Sequence, residues 1–171
     1  MMRVLMALSA SVLVAACSHN SPPVQDAEIV RPASSTSLMT RYSVSVEAAL
    51  PDLRVSREEA SSFRSDGRGE TVMFVYLENL PAGVADLSDA HGSESRTLMV
   101  GMQPMRGGDG RITYDIHLAF QDDVHARPFG LEESPRLVVA EGETATVHLG
   151  QEAGDIYSRL AIDLTSHTVS D

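Results

Sequence analysis

The chain of 171 residues has a single cysteine, no tryptophan, no lysine and only eight aromatic side chains, four tyrosines and four phenylalanines. One cysteine excludes an internal disulfide, so any exported domain must be held together by its core alone. With so few rings, aliphatic side chains must fill most of that core. Without lysine, the glycine-rich stretch Gly107-Gly108-Asp109-Gly110 cannot be a phosphate-binding loop, and no helical pattern follows it. Positive charge is also scarce: 13 arginines stand against 24 acids, a formal net charge of −11. A chain that binds nucleic acid through its phosphates needs a basic patch, and this balance excludes that class of partner. No repeat of 20–50 residues is visible. Nor does the chain hold an apolar run of the ~20 residues that a membrane-spanning helix requires.

The longest apolar run, Val4 to Val14, is interrupted by Ser9 and Ser11 and preceded by Arg3. A short apolar core behind a positive residue is the pattern of a cleaved export signal. The run ends in Leu13-Val14-Ala15-Ala16-Cys17, aliphatic residues followed by small ones and then the only cysteine. This resembles the lipobox of bacterial lipoprotein precursors. The resemblance implies a signal peptide over residues 1–16, cleavage between Ala16 and Cys17, and a diacylglyceryl thioether on Cys17, whose new amine is then acylated. Two or three acyl chains hold a protein stably on a bilayer where one does not. Ser18, in place of the aspartate that retains such proteins at the inner membrane in enteric bacteria, implies the outer membrane, with the domain on its periplasmic side.

Residues 17–37 read as a flexible tether. Ser21-Pro22-Pro23, Arg31-Pro32 and Ala33-Ser34-Ser35-Thr36-Ser37 cannot bury enough apolar surface to offset the entropy of ordering. A flexible chain of ~20 residues reaches ~25 Å. Loss of Arg3 with the signal leaves 12 arginines against the 24 acids, so the mature chain is near −12. Such a surface keeps the protein soluble and speeds its encounter with a basic partner.

From Leu38 to Asp171 the dominant period is two. Tyr42, Val44 and Val46 alternate with Ser43, Ser45 and Glu47; Ile112, Tyr114, Ile116, Leu118 and Phe120 alternate with polar or small residues. Val72–Leu77 is a continuous apolar run, the pattern of a strand covered on both faces. Leu98–Met102, Leu137–Val139, Ala145–Leu149 and Leu160–Leu164 complete a set of about seven strands. The glycines at 107–110 suit a hairpin loop, and Glu141-Gly142 suits another between Val139 and Ala145. Pro81 and Gly83 close the run from Val72. One short helix is expected over Ser56–Phe63, where Ser56 and Glu59 form a capping-box pattern. The fold class is therefore all-β, an antiparallel sandwich or small barrel.

The chemistry-bearing residues are sparse. His117, with Asp115, and His148 lie on the polar faces of two strands; if those strands were neighbours they could converge on a metal ion, although no ligand pair has a diagnostic spacing. Asp122-Asp123-Val124-His125 places carboxylates beside an imidazole, as acid–base work requires, and equally describes a solvated loop. His91-Gly92-Ser93 puts a serine near a histidine without the Gly-x-Ser-x-Gly elbow of a nucleophile. Met99, Met102 and Met105 recur at spacing three, which on a strand alternates faces, so core packing is expected of them.

Residues Ser134 to Gln151 run Pro-Arg-aliphatic, turn, Ala-x-Val, glycine. This resembles a hairpin of the secretin domain of bacterial secretion and pilus channels, over about a tenth of the chain. The resemblance implies a hairpin here and a role in an envelope assembly. The sequence thus leads to a lipid-anchored, non-catalytic binding or accessory protein of the cell envelope, needing no cofactor and no metal, with an envelope protein as its partner. An inhibitor of a basic cell-wall hydrolase is one alternative. The other is a periplasmic enzyme, which would need His117, His148 or Asp122 in a shared pocket.

Overall fold

A computed structural model describes residues 36–170. These form two four-stranded antiparallel sheets stacked as a sandwich, with eight strands where about seven were expected. One sheet has the order β2-β1-β8-β7, built from β1 (Thr36–Leu50), β2 (Leu53–Ser65), β7 (Thr144–Ala153) and β8 (Ile156–Ser170). The other has the order β3-β4-β5-β6, built from β3 (Met73–Pro81), β4 (Ser95–Arg106), β5 (Arg111–Phe120) and β6 (Arg136–Ala140). Each strand follows its predecessor around the molecule, and β8 pairs with β1. The topology is an up-and-down meander that changes sheets twice, from β2 to β3 and from β6 to β7. Those two changes leave two seams, where the edge of one sheet faces the edge of the other. The first strand starts at Thr36, two residues before the expected domain boundary, and Ser37 is already buried.

The alternation read from the sequence is the alternation of the core. Val44 and Val46 on β1, Ile112, Tyr114 and Ile116 on β5, and Leu160, Ile162 and Leu164 on β8 are fully buried between the sheets. The interior is mainly aliphatic, with Tyr42, Tyr114, Phe120 and Phe129 as its buried rings, and a hydrogen-bonded cluster crosses it. The Tyr114 hydroxyl donates to Ser166 Oγ of the opposite sheet at 2.9 Å, and Ser166 Oγ shares a hydrogen bond with Thr40 Oγ1 at 2.6 Å. Burial raises the Tyr114 pKa, with the Ser166 bond opposing in part. A buried hydroxyl without partners would be costly, and this triad satisfies three while tying one sheet to the other.

The segment Ser56–Phe63, expected to be helical, lies instead inside β2. A helix of eight residues is marginal on its own. Here the two-residue turn Pro51-Asp52 folds β2 back on β1 in an unbroken register from Leu50↔Leu53 to Leu38↔Ser65. That ladder and the packing of Phe63 on Tyr42 (ring centroids 6.3 Å apart) outweigh one capping box. The short helix of the fold is α1 (Ala82–Ala85), whose Val84 plugs one end of the core; two 3-10 turns, Leu87–Asp89 and Pro128–Gly130, lie at the same end.

The run Val72–Leu77 is also reassigned. Its β3 is an edge strand covered on one face only: Val75 and Leu77 are buried, whereas Phe74 and Tyr76 point outwards and are 41% and 46% exposed. Between Leu77 and Leu80 β3 carries one residue more than β4, a bulge with Asn79 at φ 56°. The bulge turns Leu80 back into the core three residues after Leu77.

The hairpin at 107–110 is present: Gly107 N–H donates to Arg111 O at 2.7 Å, between β4 and β5. The expected hairpin between Val139 and Ala145 is not. β6 pairs with β5 and β7 with β8, so the turn is a corner between sheets. Glu141 N–H donates to Gly110 O in the turn between β4 and β5, and Gly142 N–H to Ser166 O of β8. Gly142 sits at φ +87°, a conformation that side chains resist. The strand–turn–strand composition that carried the secretin-like resemblance serves a different connection here.

Candidate functional site

Ala16 and Cys17 lie outside the described residues. The described residues hold the other candidates, and the topology separates most of them. His117 is on the outer face of β5 and His148 on the outer face of β7, in opposite sheets with the whole sandwich between them. They cannot share a metal ion, and among the described residues no group of three or more histidine, cysteine, aspartate or glutamate side chains is placed to hold one. Asp115 is engaged elsewhere: its carboxylate accepts two hydrogen bonds from Arg136 of β6, at 2.5 and 3.0 Å. That guanidinium holds the Asp115 pKa below the usual carboxylate range. His117 Nδ1 lies 3.5 Å from Ser134 Oγ.

The remaining candidates are turn residues. The Asp123 carboxylate accepts from the backbone N–H groups of His125 and Ala126, at 3.1 and 3.2 Å, which is the work of a loop cap. Asp122 faces Arg96 at 3.9 Å, and that guanidinium lies over the Phe120 ring. His91, Gly92 and Ser93 fall in the exposed connection before β4. Met102 is fully buried as expected; Met99 and Met105 face outwards from the same strand and are only partly covered.

The structure brings together two features that the sequence did not show. The first is a charge asymmetry between the ends of the sandwich. One end holds Thr36 and three connections, 66–72, 107–110 and 141–143. Those connections contain five carboxylates and Arg68, with Arg106 and Arg111 at adjoining strand ends. The opposite end holds the connections 51–52, 82–94, 121–135 and 154–155. Asp52 is in the first, Asp86, Asp89 and Glu94 in the second, Asp122, Asp123, Glu132 and Glu133 in the third and Asp155 in the last; Arg127 is their one arginine, with Arg54 and Arg96 at adjoining strand ends.

The second feature is the seam between β2 and β3. The register places Ser61, Glu59 and Arg57 of β2 opposite Tyr42, Val44 and Val46 of β1. Cross-strand partners share a face, so these polar side chains point towards the interior. All three are nevertheless exposed, because β3 does not close over them. What results is a groove of about 440 Å³ lined by Arg57, Glu58 and Glu59 of β2 and Tyr76, Leu77 and Glu78 of β3. Beside it, on the outer face of β3, the Phe74 ring lies over Gly101, where a Cβ would come within 2.9 Å of the ring. A residue-by-residue signal existed in the sequence: two of the eight rings flank Val75 in a strand whose neighbours are aliphatic. Which face they occupy depends on β3 being an edge.

The chain matches no protein-family model, no curated protein and no solved structure. Among the described residues no helix is long and apolar enough to cross a membrane.

Proposed function

We propose that this protein is a lipid-anchored, non-catalytic binding protein of the bacterial cell envelope, held through Cys17 at the outer membrane and recruiting a basic protein partner. The observation that carries the reading is the gathering of nine carboxylates, against Arg127 and the adjoining Arg54 and Arg96, in the four connections at one end of the sandwich, opposite the end at which the chain enters at Thr36. Charge gathered on one end attracts and orients a cationic partner before contact, which raises the rate of productive encounter. The lipobox-like Leu13-Val14-Ala15-Ala16-Cys17 supplies the anchor. The enzymatic reading required His117, His148 or Asp122 in one pocket, and the two histidines stand on opposite faces of the sandwich.

The test is a crosslinked pull-down of the mature protein from envelope extract at low and high salt. Screening shortens from about 10 Å at 0.1 M salt to about 3 Å at 1 M, so capture driven by the acidic end is expected to fall steeply. Recovery of no specific partner at either salt, or turnover of a cell-wall substrate by the purified protein, would overturn the reading. Labelling with radioactive palmitate, expected for the wild type and absent from Cys17→Ala, tests the anchor separately. The same charge asymmetry also fits an inhibitor of a basic cell-wall hydrolase; recovery of such a hydrolase, with loss of its activity on binding, would select that form of the proposal.

A further inference from the structure

We propose that the β2–β3 seam is an acceptor site for an extended segment of a basic partner protein, which adds as a strand along the free edge of β3. The inference rests on the binding-protein reading above and names where and how the partner docks.

Three observations converge on this seam. β3 is hydrogen-bonded to β4 on one side only, so the backbone groups along its other side face the groove. Free strand edges are the template that strand addition uses, with main-chain bonds giving affinity and alternate side chains giving selectivity. The groove lies between two such edges, since β2 is also the last strand of its sheet. Its lining is charged three to one: Glu58, Glu59 and Glu78 against Arg57.

The side chains specify the occupant. On the outer face, successive residues of an added strand would lie beside Phe74, Tyr76 and Glu78. Aromatic faces next to a carboxylate favour arginine or lysine, through cation–π attraction and ion pairing together. On the inner face the added side chains would meet Val75 and Leu77 of β3 and the polar stretch of β2, which suits small or β-branched residues. The expected segment therefore alternates basic and small apolar residues. The inward-pointing Arg57 and Glu59 discourage an indiscriminate apolar strand, as charged edge residues do.

The probe is a synthetic peptide of alternating arginine and valine, titrated into the full chain in detergent. Its control is the same peptide N-methylated at alternate residues, which keeps the charge and removes one edge of main-chain donors. The expected result is binding with at least a tenfold slowing of amide exchange in residues 74–78, lost for the methylated peptide. Glu58→Gln with Glu78→Gln, both exposed and so neutral for folding, is expected to weaken binding about tenfold; Tyr76→Ala should weaken it independently. Protection in 82–94 and 121–133 instead would overturn the seam while leaving the acidic-end reading standing. Equal binding of the methylated peptide, or no binding at low salt, would overturn it too. Self-association protecting the same edge would replace the partner with a second copy of this chain. The pull-down above judges the binding-protein reading by itself: a basic partner captured equally by wild type and by the Glu58→Gln, Glu78→Gln variant would sink the seam alone.

Discussion

The two seams of the sandwich arise in the same way, each where the meander changes sheets, yet they end in opposite states. At the β6–β7 seam the inward positions of β7 are Ala145, Val147, Leu149 and Gln151, paired with Leu164, Ile162, Leu160 and Ser158 of β8. The 3-10 turn Pro128–Gly130 buries Phe129 there, and Gln151 Oε1 accepts from Leu87 N–H at 3.0 Å. At the β2–β3 seam the equivalent positions are Arg57, Glu59 and Ser61, and they stay in water. The difference teaches that edge-to-edge closure is a side-chain decision. Apolar residues on an edge strand draw a covering segment over it, whereas charges at the same positions keep it open and also keep other strands away.

The largest effect should come from opening the closed seam. Phe129→Ala removes a large buried side chain without changing its left-handed backbone, φ 59° in the native chain. Large-to-small substitutions of buried rings cost about 3–5 kcal/mol. The urea midpoint is expected to fall accordingly, while Tyr76→Ala at the open seam, an exposed surface change, should stay within roughly 0.5–1 kcal/mol. Equal losses at the two sites would remove the distinction between them. The converse experiment makes the open seam apolar: Arg57→Val with Glu59→Val exposes an apolar edge, and light scattering is expected to show association that wild type lacks.

Smaller, and diagnostic of the corner that makes the closed seam, is Gly142→Ala. Its Cβ meets nothing within 4 Å, so the cost is that of a side chain at φ +87°, about 1 kcal/mol. Tyr114→Phe is expected to cost a similar amount, about 0.5–1.5 kcal/mol, by deleting a buried hydrogen bond between the two sheets. It carries a pH signature. Burial raises the Tyr114 pKa above its unfolded value. A raised acid favours the folded state below the unfolded pKa of about 10 and loses that advantage as pH climbs towards the folded pKa. Wild type should therefore lose stability above about pH 10 more steeply than Tyr114→Phe. Parallel alkaline limbs would mean that Tyr114 does not govern that loss.

These contrasts also mark what could be read from the chain alone. The strands from Ile112 to Phe120 and from Leu160 to Leu164 were legible because an alternating apolar pattern is local information. β2 was not, because Val55 and Phe63 are its only inward apolar residues between Leu53 and Ser65; its ladder is imposed by β1. Glu141-Gly142 marked a turn correctly but not its type, since a hairpin and a corner between sheets demand the same positive φ. The separation of His117 from His148, the outward Phe74 and Tyr76 and the acidic end all depend on strand order, which no local pattern encodes. Cys17, by contrast, is legible only in the sequence.

The smallest effect should be at Glu141, which stands on that same corner. Its carboxylate takes a hydrogen bond from the Thr168 side chain, near the end of β8, and this, with the Thr168 backbone N–H and the nearby Arg106, holds its pKa below the usual value against the opposing effect of burial. A depressed carboxyl pKa contributes stability that is present above the unfolded value of about 4.3 and lost as pH falls through the folded pKa. The group is partly exposed, so solvent screens the gain, and Glu141→Gln is expected to cost only about 0.5 kcal/mol at neutral pH. The pH dependence is the sharper reading: the variant's stability should fall less between about pH 5 and pH 3 than that of wild type. Should the two acid limbs run parallel, the Glu141 side chain is a bystander, and the corner is held by main-chain bonds, Glu141 N–H to Gly110 O and Gly142 N–H to Ser166 O.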